Sequence, residues 1–301
     1  MRINSNNYPL VSVIMNCYNG EAYIADAVKS ILDQTYKNFE VIFWDNQSRD
    51  KSAIIYKSFN DKRLKYYYAK KHTSLYEARN LAIKKSKGKF IAYLDTDDLW
   101  TKNKLYVQVK KLENENIGLV YSNYYFLNQF TGLKKIAYKK KLPKGIIFQQ
   151  LLKDYCIGVG TVLMRKSIFT RNKESFNKKF NIIGDFDLFT RISQKFYFES
   201  IQLPLLIYRI HNKSFSNNNY HMYVKELKFW HKNQKTSYRD QFSYVSEKIL
   251  YIETILNILN NKYILSLKNI FQILSLKKKV KLLIFLFIPS FILKKLRNNF
   301  S

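Results

Sequence analysis

"KFIAYLDTDDLW", residues 89–100, begins as an apolar run of strand length and ends in three aspartates within four positions. Phe90 to Leu94 have the character of a strand covered on both faces. Asp95, Asp97 and Asp98 follow, where such a strand hands over to a loop. Acid is scarce in this chain of 301 residues, with 22 Asp plus Glu against 52 Lys plus Arg, so its concentration here calls for a physical reason.

Working outward, "LVSVIM" (10–15) and "FEVIFW" (39–44) are further short runs of buried-strand type. Ala22, Ala25, Val28, Ile31 and Leu32 recur between them at helical spacing, which predicts a βαβ unit. "LKYYYA" (64–69), a helix around 75–86, a helix near 102–115 and "IGLVYS" (117–122) continue the alternation. The expected fold class is α/β, a Rossmann-like mostly parallel sheet flanked by helices on both faces. "YSNYYFLN" (121–128) and "GVGTVLMRKS" (158–167) read as further strands, "KKIAYKKKLPKG" (134–145) as a solvated basic loop, and "PLLIYRIHNKSFS" (204–216) as a last strand entering a polar loop.

Open sheets of this kind bind ligands at the carboxyl ends of their strands. "MNCYN" (15–19), "WDNQSRD" (44–50) and "LDTDD" (94–98) all fall there. Each alone has the composition of a helix cap or a turn; three converging loops make a site. Asp95 and Asp97, two apart on a segment read as extended, can face a common cation. Hard divalent ions such as Mn²⁺ or Mg²⁺ take oxygen ligands, commonly one or two carboxylates plus substrate phosphates. Asp98 and Thr101 read as structural. With 8 Gly, and neither G-x-G-x-x-G nor G-x-x-x-x-G-K-[ST], the chain is not a dinucleotide enzyme or a P-loop NTPase. The charge of a diphosphate would fall to the metal and to Arg79.

"VSVIMNCYNGEAYIADAVKSILDQTYKNFEVIFWDNQSRDKS", "EARNLAIKKSKGKFIAYLDTDDLW" and "IIGDFDLFTRIS" together resemble the family 2 glycosyltransferases of GT-A fold, over roughly residues 9 to 212. The resemblance implies transfer of a sugar from a nucleotide-diphosphate donor to an acceptor hydroxyl, with inversion. It implies nucleobase contacts from Asn16, Tyr18 and Asp45, the last placed to accept from a uracil N–H, so a UDP-sugar is favoured. Asn46 stands where the family commonly has a second acid, and its amide can hydrogen-bond a base. The resemblance also puts Arg79 near the nucleotide, makes Asp95 and Asp97 the D-x-D that holds ribose and metal, and gives His211 a place on the metal or diphosphate; a packing role is the alternative for His211. Gly184-Asp185 stands where the family often shows Glu-Asp, and Asp185 is assigned as the catalytic base, with an N-cap role as its alternative. Asp187 reads as structural.

A formal charge of +30 points to an anionic partner, beside a plain compositional bias, and 47% apolar residues suffice for a core. Cys17 and Cys156 read as two buried thiols in a reducing compartment. The N-terminal residues lack a leader pattern, so the protein is expected in the cytoplasm. The expected division is a catalytic domain over 1–215 and a helical region over 216–301. After Glu253 there is no acidic residue, while Lys262, Lys268, Lys277, Lys278, Lys279, Lys281, Lys294, Lys295 and Arg297 alternate with apolar blocks. Leu267, Ile270, Phe271 and Leu274 mark one helical stripe, and "LLIFLFIPSFIL" (282–293) is too short to span a bilayer. The expectation is helices lying on an anionic membrane, peripheral on its inner face, with a lid on the catalytic domain as the alternative. Such attachment suits a glycan acceptor that is lipid-linked. A nucleic-acid binder is the other class for so basic a chain. It is disfavoured because the aromatics sit in strand-like runs and the acidic loops would repel phosphate. A catalytically silent nucleotide-sugar-binding relative also stays open. Nothing in the sequence sets an oligomeric state.

Overall fold

Every residue of Val11–Cys17 (β1) and of Phe39–Asp45 (β2) is buried, the behaviour of inner strands covered on both faces. The computed structural model describes residues 8–212, 219–234 and 242–293. The remaining strands are β3 (Leu64–Tyr68), β4 (Phe90–Tyr93), β5 (Leu99–Trp100), β6 (Ile117–Asn128), β7 (Lys134–Ile136), β8 (Leu163–Arg165) and β9 (Tyr197–Ile210). They form one sheet in the order β3-β2-β1-β4-β8-β6-β9-β5, with β7 paired to β6.

This sheet corrects the expectation of mostly parallel pairing. β3, β2, β1 and β4 run parallel, but β8 lies antiparallel between β4 and β6, and β5 is antiparallel to β9. Two antiparallel steps restore direction, so β6 runs the same way as β4, as a βαβ crossover requires. The inserted β8 contributes only three residues, too few to announce its direction in sequence. The stretch read as a basic loop begins with β7, which forms a hairpin on β6.

Helix α1 (Ile24–Leu32) buries Ile24, Ala27, Val28 and Ile31, an i, i+3, i+4, i+7 stripe that joins the main core beneath β1 and β2. α2 (Ser52–Ser58), α3 (Leu75–Lys85), α4 (Lys104–Leu112), α5 (Phe148–Lys153), α6 (Ser167–Thr170) and α7 (Gly184–Ile192) complete the layers. Cys17 and Cys156 are free and buried. The chain divides into two compact units, one of residues 1–151 with 155–209 and one of residues 152–154 with 210–301.

The second unit is helical: α8 (Tyr220–Lys232), α9 (Ser243–Leu259), α10 (Tyr263–Gln272) and α11 (Leu276–Leu286). Its small core joins Ile258, Leu259, Ile270, Ile273, Leu282 and Leu293. The stripe read as Leu267, Ile270, Phe271 and Leu274 therefore splits: Ile270 is buried and the other three are exposed. Lys294, Lys295 and Arg297, and the loop residues 213–216, lie outside the described residues. Among the described residues no helix is long and apolar enough to cross a membrane.

Lys104 is fully buried on α4, its ammonium on Gln108 Oε1 at 2.7 Å and over the Trp100 ring at 4.2 Å, with no carboxylate partner among the described residues. Burial pushes its pKa well below the ordinary lysine value. The unfolded chain then holds a proton at Lys104 that the folded chain gives up, so stability rises with pH until the unfolded pKa of about 10.4 is passed. Relative to Lys104→Met, the wild type should gain stability in urea denaturation as pH rises toward about 10.4, with a slope of up to about 1.4 kcal/mol per pH unit. A constant difference would contradict a neutral buried amine.

Candidate active site

β1, β2 and β4 end on one edge of the sheet, and the loops that follow them are tied together. The Asn19 N–H donates to Ser48 Oγ (3.1 Å) and the Arg49 N–H to Asn19 Oδ1 (2.8 Å). The Glu21 N–H donates to Asp50 and the Lys51 N–H to Glu21, both at 2.9 Å. Two reciprocal pairs thus join the first loop to the second. The third loop touches the first at Gly20, where a Cβ would lie 2.8 Å from Thr96 Oγ1. The Asp98 N–H donates to the Asp95 carbonyl at 3.2 Å, so the D-x-D segment is a tight turn and not the extended run expected from sequence.

Among the expected nucleobase contacts the side chains divide. Asn16 is nine-tenths buried, and neither its Oδ1 nor its Nδ2 has a hydrogen-bond partner. Trp44, its register partner on β2, also keeps a buried, unpartnered Nε1–H. Orphaned polar atoms of this kind are uncommon in folded proteins and call for an explanation. Tyr18 is exposed and packs edge-on against His72, ring centroids 4.5 Å apart.

Asp45 and Asn46, by contrast, have partners within the protein. Asp45 is buried and accepts from the Ser48 N–H and the Tyr66 hydroxyl, both at 2.7 Å. Asn46 donates to Thr73 O (2.9 Å) and accepts from the Thr73 N–H and Oγ1–H (3.2 Å each). This reciprocal pairing needs both a donor and an acceptor, which an amide has and a carboxylate lacks. The departure from a second acid at position 46 therefore anchors the loop before α3 and does not aim a group at a ligand. That loop lines a cleft of about 450 Å³ with Lys71, His72, Thr73, Ser74, Glu77 and Asn181.

α3 starts at Ser74, whose hydroxyl accepts from the Glu77 N–H. Tyr76 and Arg79, three apart, share one helix face. Arg79 is buried and pairs with Asp95 at 2.6 Å, while the Asp95 side chain stays 35% exposed. Burial works to lower the Arg79 pKa, but Asp95 and its neighbours carry it above the ordinary value, so the guanidinium is a fixed cation. Tyr76 reaches the other carboxylate: its hydroxyl lies 3.0 Å from Asp185 Oδ1 and 2.9 Å from Ile182 O, and the Tyr155 hydroxyl donates to Asp185 Oδ2 at 3.0 Å. A phenol has one proton. When Tyr76 gives it to Ile182 O, the Asp185 contact is filled only by a proton on Asp185.

Burial raises the Asp185 pKa, against the pull of Arg79 and the hydrogen bonds from Phe186 N–H, Tyr76 and Tyr155. Asp185 does not occupy the N-cap of α7, which falls on Ile183. Gly184 has a steric cause, since a Cβ there would sit 2.4 Å from the Tyr76 ring. Asp187 is structural, held by Arg191 at 3.0 Å one turn on.

Arg209, unremarked in the sequence reading, stitches β9 to the D-x-D turn. Its backbone N–H donates to Asp98 (3.0 Å), its Nε to Asp97 O (2.9 Å), and its other nitrogens to Gln129 and Asp26. Asp98 is buried, and its pKa is pushed well up by that burial and by Asp97 and Asp95, as suits a structural acid. For a divalent ion, Asp95 and Asp97 supply hard oxygen donors from one turn, and Asp95 has one oxygen already taken by Arg79. Among the described residues no three His, Cys, Asp or Glu gather around a common point. His211 belongs to the second compact unit, whereas the two aspartates belong to the first. The donor set fits an ion whose remaining ligands come from a diphosphate.

Residues 12–173 match the family model described as Glycosyl transferase family 2. The chain belongs to that family. This glycosyltransferase is 33% identical over 221 residues to the Escherichia coli UDP-Glc:alpha-D-GlcNAc-diphosphoundecaprenol beta-1,3-glucosyltransferase WfgD, covering 73% of this chain and 83% of that one. Its fold matches S. aureus TarS 1–349 in complex with UDP-GlcNAc at a TM-score of 0.60, with 16% identity over 86% of this chain and 88% of that one. It matches the mannosyltransferase PcManGT from Pyrobaculum calidifontis, in complex with GDP-Man and Mn²⁺, at 0.62, with 16% identity over 97% and 85%. The fold is GT-A, as the sequence blocks led us to expect, with a mixed sheet flanked by helices.

The orphaned amide of Asn16 gives the glycosyltransferase a testable signature. Leucine has nearly the same shape and no polar atoms, so Asn16→Leu should raise the stability of the ligand-free protein by about 1–3 kcal/mol. It should also abolish the thermal shift given by nucleotide. Destabilisation in the ligand-free state would mean that the amide has partners after all.

Proposed function

We propose that this glycosyltransferase moves a sugar from a UDP-sugar to a hydroxyl of a lipid-linked glycan, with inversion, working in the cytoplasm at the inner membrane face. The observation that carries the reading is that one face of α3 holds two acids with different tasks: Arg79 grips Asp95 in the D-x-D turn, and Tyr76 contacts Asp185. UDP as carrier is supported by the donors named for WfgD and TarS, and a lipid-linked acceptor by the name of WfgD.

In this reading the uracil lies against Tyr18 and the open amide of Asn16, with Asp45 placed to accept from the uracil N–H, while Asn46 holds the loop before α3. Asp95 and Asp97 would hold Mn²⁺ or Mg²⁺ at the diphosphate, a reading supported by the complex of PcManGT with GDP-Man and Mn²⁺. When bound, such an ion neutralises charge that develops on the leaving nucleotide. Arg79 adds a fixed positive charge beside Asp95. Asp185 takes the proton of the acceptor hydroxyl as its oxygen attacks the anomeric carbon opposite the nucleotide, and a single displacement inverts that centre. His211 completes the phosphate or metal contacts in this scheme.

Asp185 acts deprotonated, so activity is present above its raised pKa and falls as pH drops through it. Asp185→Asn should lower kcat by about 10²–10⁴-fold while leaving donor affinity intact. Tyr155→Phe removes a hydrogen bond that favours the carboxylate, so the acid limb of kcat/KM should move to higher pH. Full turnover by Asp185→Asn would end the assignment of the base.

A further inference from the structure

The helical unit leaves two apolar stripes uncovered. On α10, Ser266 and Ile270 face inward, and Ile273 just beyond it does the same, while Ile264, Leu267 and Phe271 lie exposed on the opposite side, Ile264 at 88% and Phe271 at 78%. Their i, i+3, i+7 spacing makes a continuous stripe, prolonged by the exposed Leu274. On α11 the inward side is set by Leu282, in the core, and by Lys278, which pairs with Glu247 at 3.2 Å. Leu276, Val280, Leu283 and Phe287 form the exposed counterpart at i, i+4, i+7, i+11, with Phe287 87% exposed. Large apolar side chains repeated at helical spacing on the outside of a folded unit mark a surface built for contact.

The charges beside these stripes decide the kind of contact. Lys262, Lys268, Lys277 and Lys281 are exposed on the same two helices and their approaches, and no acidic residue follows Glu253 in the sequence. A second copy docked here would set lysine against lysine with no carboxylate to answer it. An anionic lipid surface meets both features, since acyl chains take the leucines and phenylalanines while headgroups take the lysines, whose stems lie along the apolar boundary. Pro289 and the end of α11 at Leu286 keep the apolar run too short to insert across a bilayer, which leaves an orientation parallel to it.

We infer that the exposed faces of α10 and α11, carrying Phe271 and Phe287 with Lys268, Lys277 and Lys281, form a docking surface for anionic phospholipid. This rests on the membrane-surface reading above and specifies which side chains enter the lipid and which meet the headgroups. The surface consists of side chains already outside the core, so substitutions there leave the fold intact.

The test uses the full chain and vesicles of phosphatidylcholine, alone or with phosphatidylglycerol. Three proteins are compared: wild type, Phe271→Glu/Phe287→Glu, and Lys268→Gln/Lys277→Gln/Lys281→Gln. Wild type should co-sediment with the anionic vesicles at least tenfold better than with the neutral ones, and each variant should lose at least tenfold of that binding. Equal sedimentation of all three proteins overturns the inference. So does a concentration-dependent dimer of the wild type, seen by ultracentrifugation, that the double glutamate variant abolishes. Turnover of a water-soluble acceptor should be unchanged in both variants. If turnover persists while binding never appears, the docking surface fails and the transferase reading stands; if wild-type turnover is absent but binding is present, the reverse holds.

Discussion

A single helix face governs the geometry of the site. Tyr76 and Arg79 project from α3 toward acids on two different segments, and Phe176 stacks on Tyr76 with ring centroids 5.3 Å apart. Asn80, one residue further, exchanges hydrogen bonds with the backbone of Phe176 at 2.8 and 3.1 Å. The D-x-D turn and the segment leading into α7 are therefore positioned by the same rigid element, though nearly a hundred residues separate them. The Arg79–Asp95 pair is one-sided, with the cation buried and the anion a third exposed. Removing Asp95 would strand a buried charge, a loss of about 3–5 kcal/mol, so substitutions at Asp95 report on folding as well as on ligand binding. Asp97, whose side chain is not gripped by Arg79, is the cleaner probe of the same turn.

Local chemistry explains the places where this chain leaves its family's pattern. Asn46 is an amide because it pairs in both directions with the Thr73 backbone. Gly184 stands before the base because Tyr76 fills the space a side chain would need. Both departures point toward holding Asp185 and the α3 loop in place. The unpartnered atoms of Asn16 and Trp44 are the opposite case, polarity that pairs with nothing in the fold where stability alone would replace it.

The parallel half of the sheet was legible because β1, β2 and β4 are buried on both faces and read as unbroken apolar runs. The antiparallel half was not, since β5, β7 and β8 have two or three residues each and no periodicity can show in so few. The three loops were legible from their position after strands. The division of labour within them was not: Asp45 and Asn16 both read as polar loop residues, and only packing decides that the side chain of one has partners in the fold and that of the other has none. Arg209 left no trace in sequence beyond a charge inside a strand, because its partners come from α1, the turn after β6 and the D-x-D turn. The alternation of lysines and apolar blocks near the C-terminus was visible, whereas the rotation that turns Phe271 outward and Ile270 inward needed the helix packing.

If one helix face couples donor grip to base strength, then replacing Arg79 with methionine must change both at once. The most direct measurement pairs calorimetric titration of UDP in the presence of Mn²⁺ with the pH profile of kcat/KM in the Arg79→Met protein. The account predicts UDP affinity weaker by about tenfold, equivalent to about 1.4 kcal/mol. It also predicts an acid limb displaced to higher pH, because the cation that favours the Asp185 carboxylate is gone. Weaker UDP binding with an unmoved acid limb, or the reverse, would contradict it.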